Sequence, residues 1–136
     1  GLAGALASLA RGLPDVRVVL DLDDRRLPEH VEVALYRIAQ EALQNVLKHA
    51  DADEVTVRLE SSPDGVALAL ADDGDGFDPQ TSPAGSRGYG LASVRERAEL
   101  VGGSVRVASR PGTGTTVTVT VPLDGQPNGE GSAGNT

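Results

Sequence analysis

An α+β domain is predicted, and two periodicities together with one fact of composition predict it. Apolar residues recur at helical spacing in stretches that begin near Leu2, Leu27 and Leu91, and they alternate at strand spacing in the segments between and after them. Among 136 residues there are two Tyr, one Phe and no Trp or Met. The core must therefore be built from Val, Leu, Ile and Ala, which suits a compact α+β domain. At this length a single domain is expected, with enough chain to bury most of one core.

Each element follows in order. Leu2, Leu6, Leu9 and Leu13 mark a short amphipathic helix that ends near Gly12 and Pro14. Val16, Val18, Leu20 and Leu22 alternate as a strand, before the charged loop DDRR. Leu27 and Pro28 then open a long helix that runs to Ala50-Asp51. Pro28 is expected in its first turn, where a missing N–H does no harm, with Glu29 near the positive helix end. Val55, Val57 and Leu59 alternate with Glu54, Thr56, Arg58 and Glu60 in a half-buried strand, and SSPDG at 61–65 reads as a hairpin turn. Residues 66–71 are apolar on both faces, which predicts a central strand covered on both sides. The turn formers of 78–87 predict a mobile surface loop. Leu91, Val94, Ala98 and Val101 continue at helical spacing to a stop at Gly102-Gly103. Val105 and Val107 form a strand, RPGTG at 110–114 a turn, and Val117, Val119 and Val121 a last strand closed by Pro122. The domain is expected to span 1–123. Residues 124–136 have nothing to bury and are expected to be disordered.

Charge and composition exclude several functions. Twenty acidic against twelve basic residues give a net charge of −8, so no general field draws in nucleic acid or an anionic membrane. A phosphate ligand has to be captured locally. The absence of cysteine excludes disulfides, thiol nucleophiles and Cys-bound metal, and is compatible with a reducing cytosol. No apolar run approaches the ~20 residues of a membrane span. A cytoplasmic location is therefore expected, with any membrane anchor left to a parent protein. The chain opens on a helical pattern without Met, as expected of a piece excised from something longer.

The polar residues of YRIAQEALQNVLKHA, 36–50, form a pattern. Helical spacing gathers Ile38, Glu41, Asn45, Lys48 and His49 on neighbouring positions, while Leu35, Ala39, Ala42, Val46 and Leu47 fall on others. A carboxylate and an amide supply hard oxygens for hydrated Mg²⁺, and a cation neutralises phosphate oxygens. An ordinary solvated helix face would produce the same stripe. Glycine clusters follow. Asp72-Asp73-Gly74-Asp75-Gly76 resembles the start of an EF-hand loop, but that alignment puts Ala71 first and Ser82 twelfth, so both end ligands are missing. Gly88-x-Gly90-x-x-Ser93 lacks the third glycine of the dinucleotide fingerprint and follows a loop where a strand is required. No Walker A sequence is present. Taken singly, each cluster also reads as turn chemistry.

Taken jointly and in order, the motifs carry more. Glu41-x-x-x-Asn45 on a helix is followed by Asp72-x-Gly74-x-Gly76 at a strand end, Gly88-x-Gly90-Leu91 opening a helix, and Gly112-x-Gly114-Thr115 opening a strand. This order resembles the four nucleotide-binding boxes of the Bergerat-fold (GHKL) ATPases, which include sensor histidine kinases, gyrase B, Hsp90 and the MutL proteins. The resemblance covers residues 2–123. QEALQNVLKHADA, GYGLASVRERAELVGG and SRPGTGTTVTVTVP are most similar to bacterial two-component sensor histidine kinases of the subgroup related to nitrate and membrane-fluidity sensors. RERAELVGG is the most specific part.

That resemblance implies a two-layer α/β sandwich, with a mixed, mainly antiparallel sheet carrying helices on one face and ATP held between the long helix and a lid. Asn45 would coordinate Mg²⁺, and Glu41 would hold a metal-bound water or polarise a reacting group. Lys48 and His49 would reach the phosphates. Asp72 would accept from the adenine exocyclic amine, and Gly74 and Gly76 would let the backbone approach the base. Gly88 and Gly90 would let the lid fold over the phosphates, the helix opening at Leu91 would offer N–H groups to an anion, and Thr115 would support the adenine pocket. Asp73 and Asp75 are assigned no direct contact, and solvated turn residues would fit them as well. A histidine kinase also needs an acceptor histidine, and the chain has only His30 and His49. His49 lies in the nucleotide-binding box, and His30 lacks the acidic neighbour that follows the acceptor in this family. The acceptor is therefore expected on a separate dimerisation domain before Gly1, with a response regulator downstream. Two other functions share the pattern: an anti-sigma-factor serine kinase, against which the RERAELVGG run argues, and a non-catalytic ATP-binding module.

Overall fold

The computed structural model describes residues 1–78 and 91–123, and of His49 and Ala50 the backbone alone. Helix α1 (Leu2–Arg11) leads into strand β1 (Arg17–Leu22), and helix α2 (Glu29–Asn45) continues into a π-helical turn, Val46–Ala50. Strands β2 (Glu54–Ser62) and β3 (Gly65–Asp72), helix α3 (Leu91–Glu99), and strands β4 (Ser104–Arg110) and β5 (Gly114–Pro122) follow. The expected mobile loop over 78–87 falls outside the described residues except at Asp78, and so does the 124–136 tail.

The five strands form one sheet in the order β1-β2-β3-β5-β4, parallel only between β1 and β2. Strand alternation sends Val55, Val57, Leu59, Val66, Leu68, Leu70, Val117, Val119 and Val121 to one face, where the helices bury them. From α2 the stripe Val31, Leu35, Ile38, Ala39, Ala42 and Leu43 meets that face, with Leu2 and Leu6 of α1 on one flank and Val94 and Ala98 of α3 on the other. The domain is thus the expected α+β two-layer sandwich.

Three expectations change in detail. The apolar run of β3 is not covered on both sides: Leu68 and Leu70 are buried, whereas Ala67, Ala69 and Ala71 on the opposite face are half-exposed. Alanine adds so little apolar surface that the second face of a strand carries it without a cover. Pro28 is the N-cap of α2 rather than a first-turn residue, with φ −54° and ψ 143°. Its carbonyl accepts from Val31 and Glu32, while the Glu32 carboxylate reaches back to the Leu27 N–H at 3.0 Å, which holds it below the usual carboxylate range. The long helix also changes character at Val46. Its last turn is π-helical and ends on Asp51 in the left-handed region, φ 53°.

Candidate functional site

Four separated stretches converge where the sheet meets α2. Ala42, Asn45 and Val46 from the helix face Leu70 and Asp72 at the end of β3, Leu91 and Val94 from α3, and Thr115 and Val117 from β5. They enclose a cavity of about 10 Å³, room for roughly one water. Of the residues singled out from the sequence, Asn45, Asp72, Leu91 and Thr115 line this recess together.

Asp72 and Thr115 are direct partners in the β3–β5 register. The Asp72 carboxylate accepts the Gly74 N–H at 2.9 Å and also the Thr115 N–H. Burial nevertheless pushes its carboxyl above the usual Asp value, against the pull of those two hydrogen bonds, and the nearby Asp73 charge adds to the rise. Thr115 is 2% exposed, and its hydroxyl lies 2.7 Å from that of Ser109 on β4. Gly74 is buried beside Asp72.

Gly76 has φ +66°, and a Cβ there would lie 2.1 Å from the Arg110 carbonyl oxygen. Its freedom is needed against the β4–β5 hairpin, which also receives the Asp75 carbonyl through the Gly112 N–H at 2.6 Å. Asp73 is exposed, yet it caps backbone groups at the start of β2. Its Oδ1 accepts the N–H groups of Asp53 at 2.9 Å and Glu54 at 3.0 Å, which lowers its carboxyl below the ordinary value.

Glu41 lies one turn before Asn45, and its Oε1 accepts the Ser93 hydroxyl at 2.9 Å and pairs with Arg97 at 3.6 Å. The carboxylate is thus held by two residues one turn apart on α3. Lys48 is exposed on the π-helical turn, where the wider turn changes its angle relative to Glu41 and Asn45. The side chain of His49, and both Gly88 and Gly90, lie outside the described residues. No cluster of three His, Asp or Glu suited to a metal occurs among the described residues, so a cation here would draw most of its oxygens from phosphate and water, with Asn45 as the protein's amide oxygen.

Sequence reasoning missed three residues here: Ser93, Arg97 and Ser109. Ser93 and Arg97 are four apart and polar on a helix whose other face is apolar, a signal available in the sequence. Ser109 had none, because its contacts are made across a hairpin.

Residues 30–125 match the family described as histidine kinase-, DNA gyrase B- and HSP90-like ATPases. The histidine-protein kinase/phosphatase DegS of Bacillus subtilis is 39% identical over 104 residues, covering 76% of this chain and 27% of that protein. DegS of Brevibacillus brevis is 40% identical over 98 residues, covering 72% and 25%. The chain thus spans about a quarter of the length of these relatives. Among solved structures, the ATP-binding domain of PrrB from Mycobacterium tuberculosis superposes with a TM-score of 0.64 at 29% identity, covering 89% of this chain and 90% of that one. The histidine kinase domain of the blue-light activated kinase EL346 from Erythrobacter litoralis gives 0.68 at 25%, covering 90% and 59%.

Proposed function

We propose that this chain, which belongs to the histidine kinase-, DNA gyrase B- and HSP90-like ATPases, binds Mg-ATP and donates the γ-phosphate to a histidine on a separate dimerisation domain. A response regulator would then receive the phosphoryl group. The observation that carries this reading is the convergence of Asn45, Asp72, Leu91 and Thr115, from four separated stretches, on one recess.

Adenine would sit against Asp72 and Thr115, with the triphosphate running toward Asn45 and Lys48. Bound Mg²⁺ would supply charge neutralisation between the phosphates. Asn45 would orient the phosphate chain through its amide, and Lys48 would add positive charge beyond it. Glu41 would polarise the attacking group, with Ser93 and Arg97 fixing its carboxylate. Phosphoryl transfer asks for positioning and neutralisation more than for covalent chemistry from the protein, which fits this set of side chains. His30 does not fit the acceptor role: it is exposed in the first turn of α2, about 22 Å along the helix axis from Asn45.

Radiolabelled ATP with the family's histidine-bearing dimerisation helices added in trans tests the reading. Acid-labile, alkali-stable phosphate is expected on the added module and not on this chain. Asn45→Ala should lose transfer with the fold intact. Phosphohistidine on the chain alone, phosphate on a serine-bearing protein instead, or full transfer by Asn45→Ala would overturn it.

A further inference from the structure

The hydroxyl protons around Thr115 can be counted. Ser109 Oγ accepts the Phe77 N–H at 2.9 Å, lies 3.2 Å from the Gly114 carbonyl oxygen, and lies 2.7 Å from Thr115 Oγ1. Two hydroxyls bring two protons, and the Gly114 carbonyl can only accept. If the Ser109 proton goes to Gly114, the Thr115 proton goes to Ser109 and all three contacts are made. With the opposite sense the Gly114 contact is lost and the Thr115 proton points elsewhere. The first arrangement leaves Thr115 facing the recess with lone pairs alone, beside its strand partner Asp72, whose ionised carboxylate also only accepts.

We propose that Ser109 is a specificity-determining positioning residue: by taking the Thr115 proton it makes the base-facing wall an all-acceptor pair, matched to both N–H groups of an exocyclic amine and mismatched to a ring carbonyl. This rests on the proposed placement of adenine against Asp72 and Thr115. Ser109 touches no base itself. It acts through Thr115, and it also ties Phe77, just beyond the Asp72–Gly76 turn, to the start of β5.

Calorimetric titration of the 136-residue chain with ADP and with IDP, which differ at C6 by amine against carbonyl and at N1 by a lone pair against an N–H, tests this. The wild-type chain should prefer ADP. In Ser109→Ala the Thr115 hydroxyl is free to donate to the carbonyl, and the ADP/IDP affinity ratio should fall about tenfold, the scale of one mispaired buried polar group. Ser109→Thr, which keeps the hydroxyl, should retain the wild-type ratio. A purely structural Ser109 would weaken both ligands by the same factor, and an unchanged ratio in Ser109→Ala overturns the inference. If Ser109→Ala does not fold, Ser109→Cys, of similar size and weak in hydrogen bonding, should narrow the ratio in its place, and the same criterion applies. Thr115→Val removes the acceptor directly and should narrow the ratio too. If it does not, Thr115 is not at the base, and the pocket assignment fails together with the inference. Narrowing in Thr115→Val without narrowing at position 109 overturns the inference alone.

Discussion

Asp72 has two pH dependences of opposite sign. Burial raises its carboxyl above the ordinary Asp value, so the folded chain binds that proton more readily than the unfolded one. The associated stability is fully present below the ordinary value and is lost as the pH rises through the folded value. Adenine binding runs the other way, because only the ionised carboxylate accepts an amine N–H without offering a proton of its own. ADP affinity should therefore fall as the pH drops through the folded value, with proton release in the titration. In Asp72→Asn that pH dependence should vanish. Most of the thermal stabilisation by ADP should vanish too, about 2.7 kcal/mol at a hundredfold excess over the wild-type Kd. An unchanged pH profile in the variant would assign the proton to another group. Asp72 was legible in the sequence because it stands at a strand end before two glycines. Gly114 was legible as part of the Gly112-x-Gly114-Thr115 motif, but the contact that requires glycine there was not. Its φ of +107° and the 2.1 Å that would separate a Cβ from the Asp72 carbonyl oxygen appear only once β3 and β5 are paired. Gly114→Ala should cost more than about 2 kcal/mol by chemical denaturation, since it adds a steric clash to backbone strain.

Among the elements, the strands and helices were readable because their apolar residues keep period two or 3.6 throughout, and each of the five strands lies where alternation places it. The last turn of the long helix was not. A π-helical turn at Val46–Ala50 leaves no trace in hydrophobic spacing over five residues. It still alters the angle between Lys48 and the Glu41–Asn45 pair. The partners of the Asp73 side chain were not legible for a related reason: the Asp53 and Glu54 N–H groups are about twenty positions away and become neighbours only through the β2–β3 hairpin. Since those bonds lower the Asp73 carboxyl, their contribution is present above the ordinary Asp value and is lost as the pH falls through the folded one. Asp73→Ala should speed amide exchange at Asp53 and Glu54 selectively, leaving the centre of β2 at Val57 protected. Uniform acceleration along β2 would mean that the strand is held mainly elsewhere.

For the whole molecule, the composition implied an aliphatic core but not how many faces of the sheet it would occupy. An unbroken run such as Val66–Ala71 has the same pattern whether both faces are covered or one face merely carries alanine. The structure distinguishes them by side-chain size. Leu68 is fully buried among the helices, while Ala69 looks out between Arg58 of β2 and Thr118 of β5. Neighbouring positions on β3 should therefore respond in opposite ways to substitution. Leu68→Ala removes fully buried methyl groups from the core and should cost about 2–5 kcal/mol. Ala69→Thr places a β-branched residue beside Thr118 on a half-exposed strand face, where strand propensity favours it, and should stay within about 0.5 kcal/mol of the parent chain or exceed it. Urea denaturation of the two variants measures both. A loss at position 69 comparable to that at 68 would show a second layer packed on the outer face, and the one-sided sandwich would be wrong.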